Sequence, residues 1–188
     1  MTLRPAALAL CVAAGALGAG PAPDEMEVPV GRQVELFARA LAFDRHLAGD
    51  GPLVLAVVYQ GGSRDSRRAY DDVAAAARAG LRVQRRPVRV VGVDVGAGAP
   101  AARDLQRAGA AVAYVAPLRG VDVRAFARSA AGAGVLTLTG VRGYVGAGVG
   151  LGVGLRDGRP EILLNRRAAE ASGADFSARL LQLATLVD

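Results

Sequence analysis

Leu53-Val54-Leu55-Ala56-Val57-Val58-Tyr59 is an unbroken apolar run of strand length, bounded by Gly49-Asp50-Gly51-Pro52 and Gln60-Gly61-Gly62. A strand with one wet face alternates apolar and polar residues. A run without polar interruptions fits a strand covered by helices on both faces, as parallel sheets are. The following sequence repeats that logic. Apolar segments Val88–Val95, Ala111–Val115 and Val135–Thr139 alternate with helix-forming stretches over Ser66–Ala79, Pro100–Ala108 and Asp122–Ala131, with Gly80 and Gly109 as stops. Such β-α alternation predicts parallel strands joined by right-handed crossovers. A first helix is expected from Val30 towards Leu47, because Val34, Phe37, Ala38 and Leu41 share one face.

The C-terminal part breaks this pattern. Val149, Leu151, Val153 and Leu155 alternate with Gly148, Gly150, Gly152 and Gly154, which is strand periodicity. Asp157-Gly158 predicts a hairpin turn, and Ile162–Leu164 a return strand. Two helices are expected to close the chain, Arg166–Ser172 and Phe176–Val187. In the second, Phe176, Leu180, Leu183, Ala184 and Val187 fall on one face and would seal the sheet. The predicted class is α/β: a Rossmann-like, mostly parallel sheet with a C-terminal antiparallel hairpin and a terminal helix.

Composition bounds the function. The chain has 188 residues, 52% of them hydrophobic, with no Trp and only 4% aromatic. That suits one domain with a core of Val, Leu and Ala, preceded by a targeting segment. Residues 1–22 read as a signal peptide: Arg4 is followed by the uncharged apolar run Ala6–Leu17 and by small residues from Gly18 to Ala22. The run is too short and too Gly-rich for a membrane span. Export, with no membrane insertion after cleavage, is therefore expected, and Cys11, the only cysteine, would leave with the signal. Residues 23–29 read as a tether and 30–188 as the domain.

The formal charge of +6 rests entirely on arginine, 23 residues without one lysine. These arginines are scattered and the aromatics do not interleave with them, which argues against nucleic-acid binding. A single histidine, His46, excludes an ordinary zinc site in the exported domain. A Ser-His-Asp triad lacks its Gly-x-Ser-x-Gly elbow. Asp71 and Asp72, adjacent on a helix, point apart. No catalytic residue, metal site or cofactor is predicted. Gly146–Gly154 superficially satisfies a dinucleotide fingerprint, but a strand and hairpin follow where a helix is needed, so strand packing explains those glycines better. The candidate ligand-binding loop is the one after the first strand, with Gly61, Gly62, Ser63 and Ser66 at a helix N-terminus, although Asp65 or Ser66 could simply cap that helix.

One further pattern spans the C-terminal third. Gly143-Tyr144-Val145-Gly146-Ala147-Gly148 leads into the glycine-alternating strand, followed by Arg156-Asp157-Gly158-Arg159 and Glu161-Ile162-Leu163-Leu164-Asn165. Then come Ala168-Ala169, Ser172-Gly173 and Phe176-Ser177-Ala178-Arg179-Leu180-Leu181-Gln182-Leu183-Ala184. In this order the segments resemble the YfiR-like (YfiR/HmsC-related) family of periplasmic regulators, and Val135-Leu136-Thr137-Leu138 fits that family's last parallel strand. The resemblance implies a periplasmic inhibitor contacting the periplasmic sensor domain of an inner-membrane diguanylate cyclase, and so lowering cyclic-di-GMP signalling. It implies no enzyme activity, and a homodimer stays open. Members commonly carry cysteines in the exported domain, whereas this chain carries none there. The competing expectation is a periplasmic small-molecule or anion-binding module of half-binding-protein type, using the Gln60–Ser66 loop.

Overall fold

The computed structural model describes residues 25–96 and 102–187. The signal segment, its cleavage site and the start of the helix expected at Pro100 lie outside the described residues. The elements are α1 (Val30–Leu41), β1 (Leu53–Tyr59), α2 (Arg64–Arg78), β2 (Arg82–Val83), β3 (Arg86–Asp94), α3 (Ala102–Ala108), β4 (Val112–Val115) and α4 (Val123–Gly132). They continue with β5 (Leu136–Thr139), α5 (Arg142–Gly146), β6 (Leu151–Arg156), β7 (Arg159–Leu164), α6 (Arg166–Ala171), α7 (Ala178–Leu183) and β8 (Thr185–Leu186).

Eight strands form one sheet in the order β2-β3-β1-β4-β5-β6-β7-β8. The five central strands, β3 to β6, run parallel, β7 returns antiparallel to β6, and β2 is antiparallel to β3. The expected α/β class, with its parallel sheet and C-terminal hairpin, is therefore present. β1 shows why its run is continuous. Leu55 and Val57 enter the core under α1 and α2 with Phe37 and Val73, while Ala56 and Val58 enter the opposite core with Leu105 and Phe126. Both faces of the strand are dry, so neither parity can be polar.

Glycine is required along β6 by packing. Leu151 and Val153 face the α1 side and are fully buried, while Gly152 and Gly154 face the other way; Gly150, just before the strand, lies against Leu136 and Ala169 of that same core. A Cβ on Gly152 would overlap the Cγ2 methyl of Val145 on α5, and one on Gly150 would lie 2.8 Å from Leu136 Cδ1. The strand-packing reading of these glycines holds: Gly152 and Gly154 admit α5, and Gly150 lies against Leu136 of β5 and Ala169 of α6.

Three expectations need correction. First, α1 stops at Leu41 and does not continue towards Leu47. Asp44 is 1% exposed, and its Oδ1 accepts from the N–H groups of His46 (2.9 Å) and Asp175 (2.9 Å). That local and long-range capture ends the helical path. His46 is exposed in the following turn, against Gly173. Second, the terminal helix does not span Phe176–Val187. α7 covers Ala178–Leu183, and the chain then extends as β8 parallel to β7. The backbone of β7 offers unpaired groups at its edge. Val187 N–H donates to Leu164 O at 2.9 Å, and Thr185 Oγ1 donates to Glu161 Oε2 at 2.6 Å. Leu183, counted on the sealing face, is 66% exposed, and only Leu180 of α7 is buried. Third, α5 and the short β2 hairpin strand were not expected from the sequence.

The stretch expected as a tether packs on the domain from Met26 onward. Met26 bridges to Val141, Val28 is buried, and Glu27 Oε2 accepts from Leu155 N–H at 2.8 Å. Arg142 lies between Glu27 (3.9 Å) and Glu161 (2.5 Å), so this arm, α5 and β7 share one charged cluster.

Candidate functional site at the carboxyl ends of the central strands

The strand order places β1 between β3 and β4: the chain steps from β1 out to β3, then crosses back past β1 to β4. That is the switch point at which open α/β sheets form a crevice. The loops after β1, β3 and β4 meet there, and Gln60 joins them. Its side chain is buried at the end of the apolar run. Nε2 donates to the carbonyls of Gly96 (3.0 Å) and Arg119 (2.9 Å), and Oε1 accepts from Arg119 N–H at 2.7 Å. Tyr144 of α5 holds the same β4 loop one residue earlier. Its hydroxyl accepts from Leu118 N–H at 2.9 Å and is 3.0 Å from Leu118 O.

Asp94, the last residue of β3, forms the second junction. Its Oδ1 accepts from Gly61 N–H (2.9 Å) and Gly96 N–H (3.0 Å). A side chain on Gly61 would collide with this carboxylate, so the glycine permits the close approach. Gly96 has φ 52°, a left-handed turn that returns the chain to the carboxylate. The two backbone N–H groups, with Arg67 adding to them, hold the Asp94 carboxyl below its ordinary pKa. A depressed folded pKa stabilises the fold above the unfolded value of about 4 and loses that contribution as pH falls through the folded value. Asp94→Asn is therefore expected to flatten the acid limb of stability against pH, measured by urea unfolding from pH 6 downward to about pH 2.

The four predicted loop residues divide. Gly61 lies against Asp94, as above. Gly62 and Ser63 line the open cleft with Gln60, Arg64, Asp65, Gly96, Arg119 and Gly120. Ser66 does not reach that cleft surface. It is fully buried, and its Oγ accepts from Gln60 N–H at 2.9 Å, so it closes the turn. Ser63 is the N-cap position of α2, without a side-chain cap bond. Arg119 and Asp65 face each other across the cleft at 4.0 Å, both largely exposed. Asp94 and Arg119 were not singled out from the sequence, and Gln60 was named there only as the first residue of the loop. A polar residue directly after a seven-residue apolar run was the available signal for Gln60.

The cleft combines the α2 N-terminus with the side chains of Arg64 and Arg119, a surface suited to an anionic group. Among the described residues no group of three or more His, Cys, Asp or Glu could hold a metal ion. No helix among them is long and apolar enough to cross a membrane.

A family model for YfiR/HmsC-like proteins matches residues 49–185, from just before β1 to the start of β8. The chain belongs to the YfiR/HmsC-like family. The match omits α1 and takes in β1 to β7 and the switch-point cleft. Similar solved structures share the fold of this YfiR/HmsC-like domain. One is a conserved domain protein from Vibrio cholerae O1 biovar El Tor, with TM-score 0.55 and 15% identity, covering 85% of this chain and 60% of that one. Another is an ABC domain from Streptococcus pneumoniae in complex with L-Trp, with TM-score 0.54 and 12% identity over 85% of this chain and 62% of that one. A third is the ligand-free, open form of CD0873, a substrate-binding protein with adhesive properties from Clostridium difficile, with TM-score 0.53 and 12% identity over 86% and 60%. The YfiR/HmsC-like chain thus spans about 60% of the length of these structures. No curated protein matches it.

Proposed function

We propose that this protein is a periplasmic regulator that binds and represses the sensor domain of a membrane diguanylate cyclase, lowering cyclic-di-GMP signalling. The family match over residues 49–185 carries the reading. It is supported by the ordered C-terminal segments from Gly143 to Ala184, which resemble that family. Deletion of the gene in a strain expressing such a cyclase is expected to raise cyclic-di-GMP, and the protein should co-purify with the cyclase's periplasmic domain. Unchanged cyclic-di-GMP on deletion, with the cyclase present, would overturn the reading.

A second reading is favoured by the cleft at the carboxyl ends of β1, β3 and β4, on a fold shared with substrate-binding proteins. It makes the domain a receptor for a small anionic metabolite. A thermal-shift screen of carboxylates and phosphates tests it. A hit abolished by altering Gly62 or Ser63 would favour it, and the absence of any hit would remove its support.

A further inference from the structure

The arm from Glu25 to Pro29 belongs to none of the helices or strands, yet it is seated on the domain. Three groups hold it, and each recognises a feature that any extended polypeptide can bring. Val141, just after β5, pairs with Met26 in an isolated antiparallel bridge. Gln33, fully buried on α1, donates from Nε2 to Val28 O at 2.6 Å. Leu155 N–H donates to Glu27 Oε2 at 2.8 Å, and Arg142 Nε lies 3.9 Å from the same oxygen. β5 pairs with β6 no further than Gly152, so Leu155 N–H lies beyond that ladder and takes a side-chain acceptor instead.

The seat is built from parts that do not depend on the arm. Gln33 is fixed by the Tyr114 hydroxyl, which donates to its Oε1 at 2.8 Å, and by Gly140, where a side chain would collide with its amide. Arg142 is fixed from the far side, with Nη2 donating to Glu161 Oε1 (2.5 Å) and Leu155 O (3.0 Å). Glu161 is its closer ion-pair partner, so the guanidinium keeps its place without Glu27. α1 starts independently as well, because Pro29 O accepts from the N–H groups of Arg32 and Gln33. A crevice of about 570 Å³ lies between the arm and Asp65, Arg68 and Asp72 of α2, which leaves the arm room to move aside. An empty seat is nevertheless unfavourable. Met26 packs against both cores, Val28 is buried, and the Gln33 amide would lose its carbonyl. The arm therefore leaves in exchange for a segment that brings the same features.

We propose that this seat is a docking site for an extended segment of a partner protein, and that the chain's own Met26-Glu27-Val28 occupies it until that segment displaces it. The occupant carries a carboxylate side chain between two apolar residues. Its main chain runs antiparallel at Val141 and turns one carbonyl to Gln33. This is strand addition reduced to a single bridge, with the acidic residue supplying the specificity. Charge makes the selection. An acid meets Arg142 and a backbone N–H, whereas a basic residue at that place would face the guanidinium. Tethering gives the arm a high effective concentration, so a partner displaces it only when further contacts on the domain add to the segment's own. The arm thereby sets a threshold for engagement. The inference holds whichever protein the regulator acts on.

The test uses the whole exported protein and a fluorescent synthetic peptide with the sequence of Glu25 to Val30, read by anisotropy. Glu27→Gln loosens the arm and leaves the seat intact. It should bind the peptide about tenfold or more tightly than the wild type, because apparent affinity follows the fraction of open seat. A peptide with Gln at the position of Glu27 should lose that gain. In hydrogen exchange, the Leu155 amide should exchange faster in Glu27→Gln and regain its protection with the acidic peptide. Arg142→Gln should remove the preference for the acidic peptide. Should that variant fail to fold, the two peptides on the Glu27→Gln protein decide alone. Equal binding by the wild type and Glu27→Gln, or equal binding of the two peptides, would overturn the proposal. So would a wild-type dimer that the peptide dissolves in sedimentation, since the seat would then serve the arm of a second copy.

Discussion

Gly152→Val is expected to destabilise the protein by about 3 kcal/mol and to lower its melting temperature by roughly 10 °C. The backbone at Gly152 is ordinary strand, so conformational strain is not the cause. The side chain would point away from the Leu151–Val153 face and into α5, where Val145 already occupies the space. Val145 is fully buried, and Asn165 Nδ2 donates to its carbonyl at 3.0 Å, so the helix turn cannot easily retreat. Leu163, opposite Gly152 on β7, closes the remaining side. The prediction has an internal control. Val145→Ala removes the methyl that a Cβ at 152 would strike. In that background the cost of Gly152→Val should fall by about 1 kcal/mol or more, a coupling that a double-mutant cycle reads from thermal or urea unfolding. Equal costs in both backgrounds would show that α5 is not seated on β6 as described.

The same contact explains what the sequence made legible. Period-two glycines opposite Val and Leu marked β6 as a strand, and their role in close packing could be read from residue type alone. What they pack against could not. Arg142-Gly143-Tyr144-Val145-Gly146 has two glycines in five residues and little helix propensity. α5 exists because tertiary contacts hold it: the Tyr144 hydroxyl on Leu118 and Val145 on Gly152. The C-terminus shows the reverse error. Leu180, Leu183, Ala184 and Val187 carry a helical period, yet Thr185–Leu186 pairs with the edge of β7 and Val187 N–H donates to Leu164 O, so the chain leaves the helix at Leu183. Propensity decided neither end.

The site was legible in its first strand and loop and no further. Gly61 and Ser66 were picked for a ligand, and both turn out to shape the loop, one against Asp94 and the other beneath Gln60. Asp94 lies 33 positions beyond Gly61, and Arg119 lies 59 beyond Gln60. Those partners meet only because β1 falls between β3 and β4, and strand order is not written in any local pattern.

Gln60→Ala should therefore have an effect out of proportion to a residue at a loop start. It removes three hydrogen bonds at once, two to carbonyls and one from Arg119 N–H. At about 1 kcal/mol each, softened where water can enter the cleft, the expected loss is about 2–3 kcal/mol. The loss should also be local in character. Amides of Gly61, Gly96 and Arg119 should exchange faster, while those of Ala56 to Val58, buried on both sides of β1, keep their protection. Gln60→Glu separates the two halves of the staple. It retains an acceptor for Arg119 N–H but turns a donor into a carboxylate facing the carbonyls of Gly96 and Arg119, so it should be no more stable than Gln60→Ala at neutral pH and should recover as the carboxyl protonates. If the switch-point rim is where the protein meets its partner or a small anion, Gln60→Ala should weaken that binding in a molecule whose core remains folded. An unchanged affinity, with the three loops demonstrably loosened by exchange, would move the working surface away from this end of the sheet.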